Sequence, residues 1–145
     1  MKTKILKVQN KEEEQVTIQC VEITPIIRDI YSYALAKGEE LLGSLDGKIC
    51  KIRLADICYF EAVDEKLFAY TVEQIYDVKM RLYEVEHAFC NYHFIRCSKS
   101  VVLNIMQLDG ISPTLNGRFY AHMKNQEKII ISRQYVKELK RVIGK

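Results

Sequence analysis

Two short runs in the second half of the chain place cations and hydroxyls where they could hold an anion. The first is FIRCSKSVVLN, Phe94–Asn104. It opens as a strand, with Phe94 and Arg96 pointing one way and Ile95 and Cys97 the other. It then breaks at Ser98-Lys99-Ser100 and continues into the apolar Val101-Val102-Leu103. Lysine supplies a compact point charge, arginine a fork of donors and serine a short-range donor. Arg96, Ser98, Lys99 and Ser100 around one turn therefore suit phosphate. The second run is ISRQY, Ile131–Tyr135, where three isoleucines end at Ser132-Arg133. Ser132 is a favourable N-cap for a following helix, and the free N–H groups of a helix start attract phosphate. A cation in the first turn, Arg133, opposes the helix dipole; it makes more sense with an anion beside it.

Other clusters carry less. His87, Cys90, His93 and Cys97 form H-x2-C-x2-H-x3-C, four ligand types that zinc accepts, but the segment spans a helix end, a connection and a strand. Cys97, beside the polar turn, also raises an oxidation-sensitive reading. Glu84 and Glu86 point in different directions on a helix, and the three histidines lack a Ser or Cys partner at a recognised spacing. With no phosphate-binding glycine loop either, no enzyme is expected, and neither a cofactor nor a small-molecule substrate.

The elements that must position these runs follow from periodicity. Lys4–Val8 and Gln15–Glu22 read as strands, the second with Val16, Ile18 and Cys20 on one face. Thr24-Pro25 starts a helix, Ile26, Ile30, Tyr33 and Ala34 recur at helical spacing, and Gly38 is a natural stop. Strand periodicity follows. Leu41–Leu45 and Lys48–Leu54 flank Asp46-Gly47, a hairpin signal, and Ile57–Ala62 and Leu67–Val72 flank the charged turn Asp64-Glu65-Lys66. Val78–Phe89 reads as a helix with Leu82, Val85 and Phe89 on one side. Strands follow over Phe94–Cys97, Leu108–Leu115, Arg118–Met123 and Lys128–Ile131, with a turn at Asn116-Gly117. A helix, Arg133–Ile143, comes last, with Val136, Leu139 and Ile143 on its packing side and Lys137, Lys140 and Arg141 on its polar side.

The totals set bounds. The 145 residues suffice for one domain with a real core. No apolar run is long enough to span a bilayer, and MKTKILKVQNKEEE lacks the apolar centre of a signal peptide. Five cysteines, an odd number in mainly apolar contexts, suit reduced thiols in the cytoplasm. The net charge of +3 is uneven: residues 91–145 hold ten basic and three acidic side chains, residues 1–90 twelve and sixteen. A basic half beside an acidic half fits a nucleic-acid partner, and equally an unevenly solvated surface.

The residues from about 42 to 144 resemble a LytTR-type DNA-binding domain. The similarity is carried by LADICYFEAVDEK (Leu54–Lys66), LYEVE (Leu82–Glu86), FIRCSKSVVLN (Phe94–Asn104), LDGISPTLNGR (Leu108–Arg118) and ISRQYVKEL (Ile131–Leu139), in the family's order and spacing. The resemblance implies a mainly β (α+β) fold: an elongated antiparallel sheet with short helices. Here a small β–α N-terminal extension (residues 1–40) precedes the domain (41–145). It implies a sequence-specific regulator of transcription that reads the major groove of double-stranded DNA through loops, as a homodimer on paired direct repeats. The contacts implied are Lys66, Arg96, Ser98, Lys99, Ser100, Arg118, Arg133 and Lys137, with no metal. Arg96 has an equal claim to a structural role, and Lys66 to a plain charged turn. Arg118 beside Asn116-Gly117 more readily accompanies a turn than a contact. The stripe of Lys137, Lys140 and Arg141 is foremost a solvated face adding long-range attraction, and Asn104 is expected to bond backbone. Relatives often carry His with Asn or Arg where this chain has Ser98-Lys99, which leaves the base preference open. The leading unit is too short for a receiver domain, so the resemblance points to stand-alone members, some restrained by a small membrane protein; residues 1–40 are the natural surface for that partner or for self-association. The alternatives are a module of this fold that binds an acidic protein, and a thiol- or metal-dependent sensor.

Overall fold

A computed structural model describes residues 1–37 and 39–144. Helix α1 (Pro25–Lys37) starts as the Thr24-Pro25 pair dictates, with the Thr24 hydroxyl accepting from the Ile27 N–H at 3.4 Å. The expected stop at Gly38 lies outside the described residues. Strands β1 (Glu40–Leu45) and β2 (Lys48–Arg53) form the first hairpin. Its turn, Asp46-Gly47, has both residues at positive φ, 52° and 79°, the backbone that suits a two-residue link between right-twisted strands. Strands β3 (Ile57–Val63) and β4 (Lys66–Thr71) repeat the device through Asp64-Glu65, at 48° and 66°. Lys66 is thus the first residue of β4 rather than part of the turn.

After β4 come β5 (Ile75–Val78), α2 (Leu82–Ala88), β6 (Phe94–Arg96) and β7 (Val101–Asn104). The seven strands make one antiparallel sheet in the order β2-β1-β5-β4-β3-β7-β6. Strands β8 (Leu108–Pro113), β9 (Phe119–Met123) and β10 (Lys128–Ile131) make a second, three-stranded meander, and α3 (Arg133–Ile143) follows it directly. The architecture is mostly antiparallel β with a few short helices.

Alternation along the strands feeds two cores. On one face of the large sheet Ile52, Ile57, Phe60, Leu67, Val78, Phe94 and Val102 pack with Leu82 and Val85 of α2. The rings of Phe60, Phe89 and Phe94 lie 5.4–6.2 Å apart there. On the other face Cys58, Tyr59, Cys97, Val101 and Leu103 meet Ala121, Met123 and Ile131 of the small sheet and Leu139 of α3. The register of β3 against β4 shifts between Ile57 and Tyr59. Such a bulge inserts one residue and re-aims its neighbours; Cys58 and Tyr59 both reach the second core as a result. Asn104, the one buried polar side chain among the described residues, donates to the Ile57 carbonyl at 2.9 Å and accepts from the Met106 N–H at 3.0 Å. It holds the end of β7 to the start of β3, the structural role expected of it.

Two expectations fail. Helix α2 is shorter than Val78–Phe89, because Ile75–Val78 is a strand: Val78 pairs with Leu67, Tyr76 with Ala69, and Val78 is buried. β-branched and aromatic residues beside an open strand edge favour pairing over a helical turn. Residues 1–22 form no strand. Lys4–Val8 and Gln15–Glu22 join neither sheet, and the segment contains only the helical turn Lys11–Glu13. Alternation prepares a strand, but ladder hydrogen bonds require a partner edge.

Candidate nucleic-acid interface

The polar turn Ser98–Ser100 is held from three sides. Within it, the Cys97 and Ser98 N–H groups donate to the Val101 carbonyl and the Ser98 hydroxyl accepts from the Ser100 N–H at 3.3 Å. On one flank the Ser100 carbonyl accepts from the Ala62 N–H of β3 at 2.8 Å. On the other, the Cys97 carbonyl accepts from the Ser132 N–H at 2.9 Å, at the start of α3. The β3–β4 tip, the Ser98–Ser100 turn and the α3 start therefore stand side by side, with Lys66 at the start of β4, Lys99 in the turn and Arg133 at the start of α3. All three are exposed.

Arg96 does different work. Its guanidinium Nη2 pairs with Glu86 Oε1 at 3.1 Å and Nη1 donates to the Lys99 carbonyl at 2.9 Å. One arginine thus ties the turn to α2. Ser132 occupies the N-cap position of α3, but its hydroxyl makes no capping hydrogen bond; the residue acts through its backbone. Arg118 is exposed beyond Leu115–Gly117, where Asn116 and Gly117 take φ of 61° and 74°. That turn sits against Arg133, whose Cδ and Cγ would lie 3.1 and 3.2 Å from a Cβ on Gly117.

The expected basic stripe of α3 divides into paired and unpaired cations. Arg141 pairs with Glu138 through Nε–Oε2 at 2.9 Å and through a second bond, Nη2–Oε1. The ammonium of Lys140 lies 4.4 Å from the centre of the Phe119 ring. Lys137 is exposed, and among the described residues the two ion pairs are Arg96–Glu86 and Arg141–Glu138. Lys66, Lys99, Arg118, Arg133 and Lys137 thus keep their charges uncompensated by a carboxylate of the described residues in salt-bridge contact.

Sequence reasoning missed Lys79 and Arg81. They share a cleft with Lys66, alongside Glu65, Asp77 and Glu84. The run Lys79-Met80-Arg81 was hidden inside the helix expected over Val78–Phe89, whereas it follows strand β5. Glu84 accepts from the Arg81 N–H at 3.0 Å, and Glu86 is held by Arg96, so the two glutamates serve α2 and its neighbour.

The ligand-like run His87, Cys90, His93, Cys97 does not converge. Among the described residues no three His, Cys, Asp or Glu side chains group as a metal site. Cys97 is fully buried in the second core, and burial pushes its thiol up to about 12. Burial likewise raises Cys58 to about 11 and lowers His93. A thiol of that acidity stays protonated at neutral pH and resists oxidation, which removes the physical basis for Cys97 as an oxidation sensor.

Two antiparallel sheets around two cores, with no helix-turn-helix among the described residues, define a β-rich domain. The family model for the LytTr DNA-binding domain matches residues 47–144. The chain belongs to that family. An HTH-type transcriptional regulator of Staphylococcus aureus, strain NCTC 8325 / PS 47, is 28% identical over 142 residues, covering 97% of this chain and 96% of the relative. Another from strain MSSA476 is 32% identical over 106 residues, 73% of this chain and 71% of the relative. The LytTr DNA-binding domain of a Bacillus cereus protein described as a methyl-accepting/DNA response regulator superposes with a TM-score of 0.68 at 24% identity. It covers 73% of this chain and 97% of that one, and so shares the fold. The names of the staphylococcal relatives imply a helix-turn-helix; here five strands separate α2 from α3, and α3 follows β10 directly. No helix among the described residues is long and apolar enough to cross a membrane.

Proposed function

We propose that this chain is a sequence-specific regulator of transcription, acting in the cytoplasm, that reads the major groove of duplex DNA with loops. The observation that carries the reading is the 2.9 Å bond from the Ser132 N–H to the Cys97 carbonyl, which holds the Lys99 turn and the Arg133 turn side by side. Lys66, Lys99 and Arg133 are the base- and phosphate-facing cations. Lysine and arginine both suit the O6 and N7 acceptors of guanine, arginine in bidentate fashion. Ser98 and Ser100 offer hydroxyls to phosphate beside Lys99. Arg118 and Lys137 extend the cationic surface on either side of Arg133, so that phosphate contacts supply affinity and register while loop side chains supply sequence. Arg96 enters as a positioning residue: its two partners are already inside the protein.

The transcriptional role draws on the names of the staphylococcal relatives. Dimeric binding to paired direct repeats, common in the family, and restraint by a small membrane protein, found for some stand-alone members, belong to the same proposal. The test is fluorescence anisotropy on duplex from upstream of the chain's own gene, wild type beside Arg133→Ala. Wild type should bind in the presence of competitor DNA and the variant should lose about 1–3 kcal/mol. Log K against log salt should fall by about 0.9 for each phosphate neutralised. Equal, weak binding by both proteins across a wide selection of genomic duplex would overturn the reading in favour of a module that binds an acidic protein.

A further inference from the structure

We infer that residues 1–24 are a pairing arm that meets the same arm of a second copy of this chain, with the outward face of α1 continuing the contact. The inference gives a location to the dimer proposed above and rests on that part of the reading alone.

Three observations carry it. The first is a concentration of exposed apolar side chains in residues 5–35. Ile5, Leu6, Val16, Val21 and Ile23 are all more than two-thirds exposed, and Ile26, Ile30, Tyr31 and Leu35 of α1 continue the series. Helix α1 is anchored by Ile27, and it rests on Leu54–Asp56, Cys90–Tyr92 and Ile105–Gln107. Large apolar side chains left in water at this density are a mark of an interaction site. The second is backbone: the alternating Gln15–Glu22 segment belongs to neither sheet and is in no ladder, so a partner strand can pair with it up to Val21, the Glu22 carbonyl being taken by the Thr24 N–H.

The third is charge, and it selects the partner. Residues 1–8 carry three lysines, Lys2, Lys4 and Lys7, and no acid; residues 9–22 carry Glu12, Glu13, Glu14 and Glu22 against Lys11. The arm is therefore net +3 in its first part and net −3 in its second. A second copy crossing in the opposite sense sets the basic part of each arm against the acidic part of the other, twice over, as a two-fold interface requires. An anionic bilayer, the other apolar acceptor, would be repelled by the glutamates that flank Val16 and Ile18.

The experiment uses the full chain in sedimentation equilibrium, with single-repeat duplex binding measured in parallel. The variants are Lys2→Glu/Lys4→Glu/Lys7→Glu, Glu12→Lys/Glu13→Lys/Glu14→Lys, and the two sets combined in one chain. Wild type should be dimeric. Each triple variant alone should dimerise at least roughly 10-fold more weakly, and both their equimolar mixture and the combined variant should recover dimer. These surface positions lie outside both cores, so folding is preserved. A monomeric wild type, triple variants that dimerise as wild type does, or a mixture that stays monomeric would each overturn the arm. Wild-type capture by phosphatidylserine vesicles with no dimer in solution would overturn it in favour of a membrane surface. Duplex binding by the monomeric variants reports separately on the DNA reading.

Discussion

The side chain of Arg133 lies across Gly117. A Cβ at Gly117 would stand 3.1 Å from Arg133 Cδ and 3.2 Å from Cγ, and Gly117 itself has φ of 74°. The turn between β8 and β9 and the first turn of α3 are thus in close contact: glycine suits the left-handed backbone, and a Cβ there would push the arginine side chain by a few tenths of an ångström.

Gly117→Ala should therefore act twice. The strained backbone should cost about 1 kcal/mol of stability, seen in urea unfolding. The displaced Arg133 should weaken operator binding by up to the ~1–3 kcal/mol expected when a DNA-reading arginine is removed. The double variant with Arg133→Ala should bind no worse than Arg133→Ala alone, since the effects of touching neighbours do not add. A folded Gly117→Ala protein with wild-type affinity would show that the arginine does not depend on this support.

Arg96→Ala separates positioning from direct binding. Its guanidinium bonds Glu86 and the Lys99 carbonyl, which suits a residue that positions the turn. Affinity should fall because the Lys99 turn loosens, while the slope of log K against log salt stays at the wild-type value. Lys99→Ala should instead make the slope less steep, by about 0.9 for the one phosphate it no longer neutralises. A change of that size for Arg96→Ala would return Arg96 to the DNA-contacting set.

Asn104→Ala tests the second kind of dependence, on packing alone. The substitution strands the Ile57 carbonyl and the Met106 N–H, and a buried group left unsatisfied costs about 1–3 kcal/mol. Urea titration should show that loss. Operator affinity of the still-folded protein should be unchanged, because the residue lies at the far end of β7 from the Ser98–Ser100 turn.

The buried thiols predict an alkaline limit. Burial raises Cys97 from its ordinary 9.0 to about 12 and Cys58 to about 11. The unfolded chain then ionises first as pH rises, so their contribution to stability is intact below about pH 9 and is lost progressively as pH climbs through 11 and 12. Tm measured from about pH 8 to 11 should decline more steeply for wild type than for Cys97→Ala. Iodoacetamide should modify the exposed Cys20 and Cys90 before the buried Cys58 and Cys97, and peroxide should leave DNA affinity as it was. Early alkylation of Cys97 would contradict its burial.

Local chemistry was enough to fix much of this molecule. Asp46-Gly47 and Asp64-Glu65 set two hairpins because turn backbone depends on the residues in the turn. The alternation of Phe94, Ile95, Arg96 and Cys97 foretold which faces they would take, and the run from Leu54 to Leu139 marked the family by residue types and spacing alone. Other features needed partners distant in sequence. Whether Ile75–Val78 was strand or helix depended on the open edge of β4, and whether residues 4–8 and 15–22 were strands depended on pairing with an edge, and they join neither sheet. The pairing of Arg96 with Glu86 at 3.1 Å joins a strand to a helix and is written in no local pattern. Cys97 changed from a reactive candidate to a core residue when α3 and the small sheet closed over it. Periodicity and turn propensity are properties of neighbours along the chain; pairing, burial and charge compensation belong to neighbours in space.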